Sequence, residues 1–145
     1  MASPADTVRE LYAAYARRDI GFVLARLSPD IVWEGWADNS AQRAGIAWMA
    51  ERRGHAAVEG FFALTAEFHY EAFEVSAILE GMGADGLPCV AACVRIVATP
   101  PGCERIEDET MQLFTFDAAG LVTGFRQYSD TAKLVHATRA TREAG

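Results

Sequence analysis

Asp108-Glu-Thr-Met-Gln-Leu-Phe-Thr-Phe-Asp-Ala-Ala-Gly-Leu-Val-Thr-Gly-Phe-Arg-Gln-Tyr-Ser-Asp130 reads as two strands joined by the tight Asp117-Ala-Ala-Gly120 turn. One alternating face of this hairpin mixes aromatics with Asp108, Thr110, Gln112, Gln127 and Ser129. A buried sheet face excludes such groups unless they are hydrogen-bonded. Polar side chains spaced among aromatics are what a ligand cavity requires, so the hairpin predicts a pocket.

Working outward, Leu87 to Thr99 and Glu104 to Phe116 are strands separated by Pro100-Pro101-Gly102. A further strand, Phe68 to Glu80, precedes the glycine-rich Gly81-Met-Gly-Ala-Asp-Gly86, and Leu121 to Asp130 is the last. Consecutive strands with short turns predict an antiparallel meander. The first third of the chain is helical in pattern. Ser3-Pro4 starts a helix with Val8, Leu11, Tyr12 and Tyr15 on one face, and a second short helix runs through Phe22, Val23 and Leu27. Ser28-Pro29-Asp30 ends it, and Ile31 to Glu34 is a first strand. Residues 37 to 53 are a loop or short helix covering something. Gly54 precedes an amphipathic helix with Val58, Phe61, Phe62 and Thr65 on its buried stripe. Helices first and a meander second is an α+β order. A single domain is expected over residues 1–133, with a frayed tail over 134–145.

Regular turns place equidistant residues opposite one another. Arg95 is then expected to face Asp108, Cys93 to face Thr110, and Ala91 to face Gln112. Across the next turn Gln112 faces Phe125, Thr110 faces Gln127 and Asp108 faces Ser129. Cys93, Arg95, Asp108, Thr110, Gln112, Phe114, Phe125, Gln127 and Ser129 thus share one face. The other carries Val90, Val94, Met111 and Leu113 and is expected to meet a second copy of the chain, a symmetric dimer being the commonest oligomer.

A net charge of −7 disfavours nucleic acid or an anionic membrane as a partner. The first ten residues hold no apolar core of signal-peptide length, and no run is long enough to span a bilayer. Three cysteines without metal-ligand spacing, Cys89, Cys93 and Cys103, read as reduced core thiols of a cytoplasmic protein.

Three stretches carry a resemblance: Asp30-Ile-Val-Trp-Glu34, Arg53-Gly-His-Ala-Ala-Val-Glu-Gly-Phe-Phe62, and Leu113 to Asp130. Together they resemble the SnoaL-like branch of the nuclear transport factor 2-like superfamily. The resemblance implies a cone-shaped, cystatin-like α+β barrel with helices packed in a curved, mostly antiparallel sheet and a pocket inside. It also implies cofactor-free acid–base chemistry of isomerase, cyclase or hydrolase type on a hydrophobic, oxygenated small molecule, with neither metal nor organic cofactor. Residue by residue, the isomerases' catalytic base falls at Gly35 and their buried oxyanion acid at Gln112. The arginine and two aspartates of limonene epoxide hydrolase fall at Cys93, Arg95 and Gln127, and its tyrosine and asparagine at Trp33 and Gly35. Those mechanisms are therefore not carried over as they stand.

The charge work falls to Asp108, Arg95 and Gln112. Inside a cavity Arg95 would hold Asp108 ionised, ready to accept a proton or orient water. The structural alternative is a cross-strand ion pair at the rim. Gln112 and Gln127 either bind a ligand oxygen or satisfy each other and Thr110. Trp33, Trp36, Trp48, Phe114 and Phe125 are candidate walls, Tyr15 a candidate hydroxyl donor, and Asp38 a candidate base at the cavity mouth. His55, His69 and His136 have no serine or aspartate at triad spacing. A non-catalytic binding domain and a dimeric interaction module stand as alternatives.

Overall fold

Ser3 caps the first helix as its side chain predicts. Its hydroxyl accepts the Asp6 N–H at 3.1 Å, and the Asp6 carboxylate accepts the Ser3 N–H at 3.3 Å. The computed structural model describes residues 2–35 and 38–144, with side chains through Arg139. Helix α1 (Pro4–Ala16) buries Ala5, Val8, Leu11 and Ala14, and α2 (Ile20–Ala25) follows with Asp19 as its cap. The second helix was expected to reach Leu27. Instead Leu27 opens strand β1 (Leu27–Trp33), because it pairs with Val122 and the Val122 N–H reaches the Arg26 carbonyl at 2.9 Å. Tertiary pairing overrides local pattern here. Pro29, which has no N–H to give, sits where the register of that pairing shifts.

The remaining elements are α3 (Ser40–Arg43), a 3₁₀ turn (Ala47–Met49), β2 (Arg52–Arg53), α4 (His55–Thr65), β3 (His69–Met82), β4 (Pro88–Thr99), β5 (Ile106–Phe116), β6 (Val122–Tyr128) and α5 (Thr131–Ala144). The strands form one six-stranded sheet in the order β2-β1-β6-β5-β4-β3. Only β1–β6 is parallel. Register shifts at Tyr70/Ala72 and Val75/Ala77 interrupt the long β3, and such bulges bend a strand. The sheet curves around α1, α2 and α4 without closing. Val8, Leu11, Val23, Ile31, Val58 and Phe116 belong to the core between them.

The expected register fails at one turn. Ile96, not Arg95, lies opposite Asp108, while Val94 faces Thr110 and Ala92 faces Gln112. Ala98 pairs with Ile106, so the connection is centred on Gly102, whose φ of 70° the missing side chain permits. The assumed centre lay half a residue earlier. Moving it shifts the pairing by one, and a shift of one turns all of β4 over relative to β5. Val90, Ala92, Val94 and Ile96 therefore line the interior beside Asp108, Thr110, Gln112 and Phe114. Cys93 and Arg95 go to the convex side with Met111 and Leu113. The face proposed for the dimer thus splits, with Val90 and Val94 buried and Met111 exposed. At the β5–β6 turn the partners move by two, giving Gln112↔Gln127 and Phe114↔Phe125. The turn centre moves by half a residue, which shifts the pairing by one, and an irregularity between Thr115 and Phe116 adds another, so those faces are kept.

Residues 37–53 cover one end of the cone, within the segment's described part from Asp38 onward. Ala41, Ile46 and Met49 form a second cluster with Ile106, Leu134 and Ala137. Residues 134–144, expected as a tail, continue α5, with Leu134 and Ala137 each 4% exposed. The apolar spacing of Leu134 and Ala137 is helical and was the available signal. Among the described residues the three cysteines form no disulfide, and they are half-buried rather than core.

Candidate functional site

The interior face of β5 and β6 carries the polar residues whose pattern predicted a pocket, and the structure brings most of them together. They border two chambers, each about 70 Å³. The first is lined by Trp48, Met49 and Leu134 together with the polar Glu34, Asp108, Thr110 and Gln127. The second is apolar and holds Trp33, Gln112, Phe114 and Phe125, with Tyr12 and Tyr15 from α1.

Asp108 is 4% exposed, and its Oδ2 is buried with no hydrogen-bond partner among the described residues. Burial pushes its carboxyl above the ordinary aspartate value. The Asp130 N–H and the Lys133 charge pull the other way, the Asp130 charge adds to the rise, and the Ser129 hydroxyl lowers it again. Asp130, just before α5, and Ser129 thus act on the carboxyl while Oδ2 keeps no hydrogen-bond partner among the described residues.

A chain of hydrogen bonds ends on that carboxylate. Tyr12 donates its hydroxyl to Gln112 Oε1 at 2.7 Å, and Gln112 Nε2 donates to Gln127 Oε1 at 2.8 Å. Gln127 Nε2 donates to Ser129 Oγ at 2.9 Å, and the Ser129 hydroxyl donates to Asp108. All four donors point the same way, an arrangement in which each bond polarises the next. Burial raises the Tyr12 hydroxyl well above its usual value, keeping it a donor. Tyr70 is raised in the same way, and its hydroxyl bonds Tyr15 at 2.9 Å while Tyr15 also donates to Thr65 at 3.2 Å.

Glu34 is the residue that sequence alternation missed. Trp33 points inward, so Glu34 should point outward. Its φ of 58° breaks the alternation and folds the side chain back to 1% exposure. Both carboxylate oxygens accept the Gln127 N–H, at 3.1 and 3.3 Å. The following Gly35 was the one local sign that the strand ends in a turn. Tyr12 was legible as an inward helical position but not as the head of the hydrogen-bond chain.

Arg95 and Cys93 lie on the convex face, away from both chambers. Arg95 donates to Glu107 at 2.7 Å and approaches Glu74 at 3.5 Å, and the Glu107 hydrogen bond holds its guanidinium more basic than usual. These are solvated partners, so Arg95→Ala is expected to leave the denaturant midpoint nearly unchanged and turnover unchanged. Asp38 is exposed beside Arg43 at 3.8 Å and borders neither chamber. Trp36 lies outside the described residues. His55 bonds the Leu27 carbonyl at 2.9 Å, a structural role, and His69 and His136 are exposed. Among the described residues no three His, Cys, Asp or Glu side chains gather as a metal-ligand set, and no helix is long and apolar enough to cross a membrane.

A bent, unclosed sheet wrapped over helices, with a partly polar interior, defines a cone-shaped α+β fold. It is the nuclear transport factor 2-like fold. The chain is similar to a nuclear transport factor 2-like protein of unknown function from Burkholderia pseudomallei, at 21% identity and a TM-score of 0.74, over 95% of this chain and 98% of that one. It is also similar to a candidate polyketide cyclase from Pseudomonas putida, at 16% identity and 0.64, over 94% and 98%. A computationally designed 17-OHP binder matches at 18% identity and 0.67, over 91% and 97%. No protein-family model matches the chain, and no curated protein matches it by sequence. At these identities the likeness establishes the fold alone.

Proposed function

We propose that this protein is a small-molecule enzyme that uses cofactor-free acid–base chemistry on a hydrophobic, oxygenated substrate, with Asp108 as the proton acceptor. The observation that carries the reading is the buried, unpartnered Oδ2 of Asp108, a residue that lines the polar chamber. A carboxylate with a raised pKa is matched to taking a proton near neutral pH. The carboxylate takes a proton from an acidic C–H or O–H of the substrate and returns it at another atom, so the cycle closes without a co-reactant. Gln112, gripped by Tyr12 and Gln127, positions the chain that ends on Asp108; Arg95 has no part. The fold likeness to a candidate cyclase is consistent with this chemistry. The test is turnover of Asp108→Asn on isomerase, cyclase and epoxide substrate panels, and unchanged turnover would remove the proposed base.

A second reading, a non-catalytic binding domain, draws on the same network. Tyr12, Gln112, Gln127 and Ser129 satisfy one another, and a designed binder uses this fold.

The proposal includes a homodimer through the convex face. Leu79, Ala91 and Leu113 form one row across β3, β4 and β5, and Ala77, Cys93, Met111 and Tyr128 form the next across β3 to β6. Leu79 is 57% and Met111 42% exposed, an apolar patch of the kind that marks an interface. Sedimentation at micromolar concentration is expected to give a dimer for the parent and a monomer for Met111→Lys. A monomeric parent would dismiss the interface.

A further inference from the structure

The two chambers touch along one wall, and that wall has three parts. On one side the Tyr15 hydroxyl, from the apolar chamber, bonds the Tyr70 hydroxyl, from the polar one. On another side Gln112 and Gln127 bridge the chambers in the same manner. Phe61 lines both chambers and is the wall's apolar part. Its ring leans on Trp33 at 5.3 Å and 49° and on Phe62 at 5.3 Å, and it is only half-buried. Moving either hydrogen-bonded part breaks a part-buried polar contact and leaves its groups unsatisfied. Turning Phe61 breaks none.

Each chamber alone, at about 70 Å³, falls well below the ~300–1,000 Å³ of ordinary ligand pockets. Each also keeps one buried, unpartnered polar atom on a residue that lines it. These are the acceptor Asp108 Oδ2 on the polar side and the donor Trp33 Nε1 on the apolar side. We propose that the chambers are two halves of one ligand site divided by the Phe61 ring, which sets the length of ligand admitted. The ligand class follows from the two ends: an elongated, largely apolar molecule with a hydroxyl or acidic C–H at Asp108 and a carbonyl or ether oxygen at Trp33. This deepens the reading of Asp108 as proton acceptor and rests on it for the donor end.

The experiment is a calorimetric titration of the parent and Phe61→Ala with phenol, 2-naphthol and 6-acetyl-2-naphthol. The variant is expected to favour 6-acetyl-2-naphthol over phenol by about tenfold or more relative to the parent, the scale on which pocket shape discriminates. Equal affinity ratios in the two proteins would overturn the partition. Phe61→Leu repeats the comparison if Phe61→Ala does not fold. In the Phe61→Ala background, Trp33→Phe is expected to remove the preference for 6-acetyl-2-naphthol over 2-naphthol, and a preference kept intact would overturn the assignment of the acceptor end. Binding reads the wall and turnover of Asp108→Asn reads the base. A length shift in Phe61→Ala with undiminished turnover in Asp108→Asn would therefore keep the partition and reject the acid–base reading.

Discussion

Asp108→Asn is expected to melt higher than the parent at neutral pH while turnover falls by about 10²–10⁴-fold, the usual contribution of a positioned general base. The two effects share one cause. In the parent, Asp108 Oδ2 is buried without a partner, and burial raises the carboxyl above its ordinary value. An acid with a raised folded-state pKa binds its proton more tightly in the native state than in the unfolded one. Stability therefore falls as pH rises from the ordinary aspartate value to the raised one, and is level on either side. Turnover by the ionised base rises through that same window. The carboxamide keeps an oxygen for the Asp130 N–H and the Ser129 hydroxyl but carries no charge to desolvate. A higher Tm at neutral pH is expected from the lost charge alone, since the amide NH2 takes the unpartnered place of Oδ2. Thermal scans between about pH 4 and pH 8 check it, spanning the ordinary carboxylate range upward. Parallel curves for parent and variant throughout would mean that Asp108 titrates as an ordinary surface aspartate.

Trp33→Ala has the largest stability effect expected of a single change, about 3–5 kcal/mol. Trp33 is 4% exposed, stacks on Phe125 with ring centres 4.0 Å apart and 19° between planes, and meets Phe61 and Phe62. It also sits on the strand that joins β2 to the rest of the sheet. Truncation opens the apolar chamber from beneath and removes the wall on which Phe61 leans. Against a total of about 5–15 kcal/mol, such a loss brings the domain near its threshold. A fall in Tm of about 10 °C or more is expected from calorimetry. Trp33→Phe, which keeps a ring against Phe125, should lose well under half as much. Equal losses for the two variants would show that the stack contributes little and the indole volume nearly everything.

Much of the fold was legible because it rests on short-range rules. The Ser3 cap, the α1 stripe through Val8 and Leu11, the α4 stripe through Val58 and Phe62, and the last four strands all follow from local pattern. Of the candidate site, Asp108, Thr110, Gln112, Phe114, Phe125 and Gln127 all line one chamber or the other, since each strand's own alternation places them. The Arg95–Asp108 pair was wrong because it depended on the centre of a turn. Half a residue's displacement at Gly102 sends Arg95 to the opposite side. The apolar positions Val90, Val94 and Ile96 argued for that outcome, but the polar face of β5 drew attention to the wrong partner. Asp38 lies exposed beside Arg43 and borders neither chamber, because a loop residue's reach depends on where the loop runs.

Local periodicity and capping settled the order of helices and strands and which side of β5 and β6 is polar, because those depend only on neighbours along the chain. Tertiary pairing decided the rest: which arginine meets which acid, how Glu34 comes to lie under Gln127, and that Leu134 of α5 lines the polar chamber. A one-residue change in a connection costs little locally yet inverts a whole strand. No residue-by-residue pattern can report a choice made between surfaces that meet only once the sheet has curved around its helices.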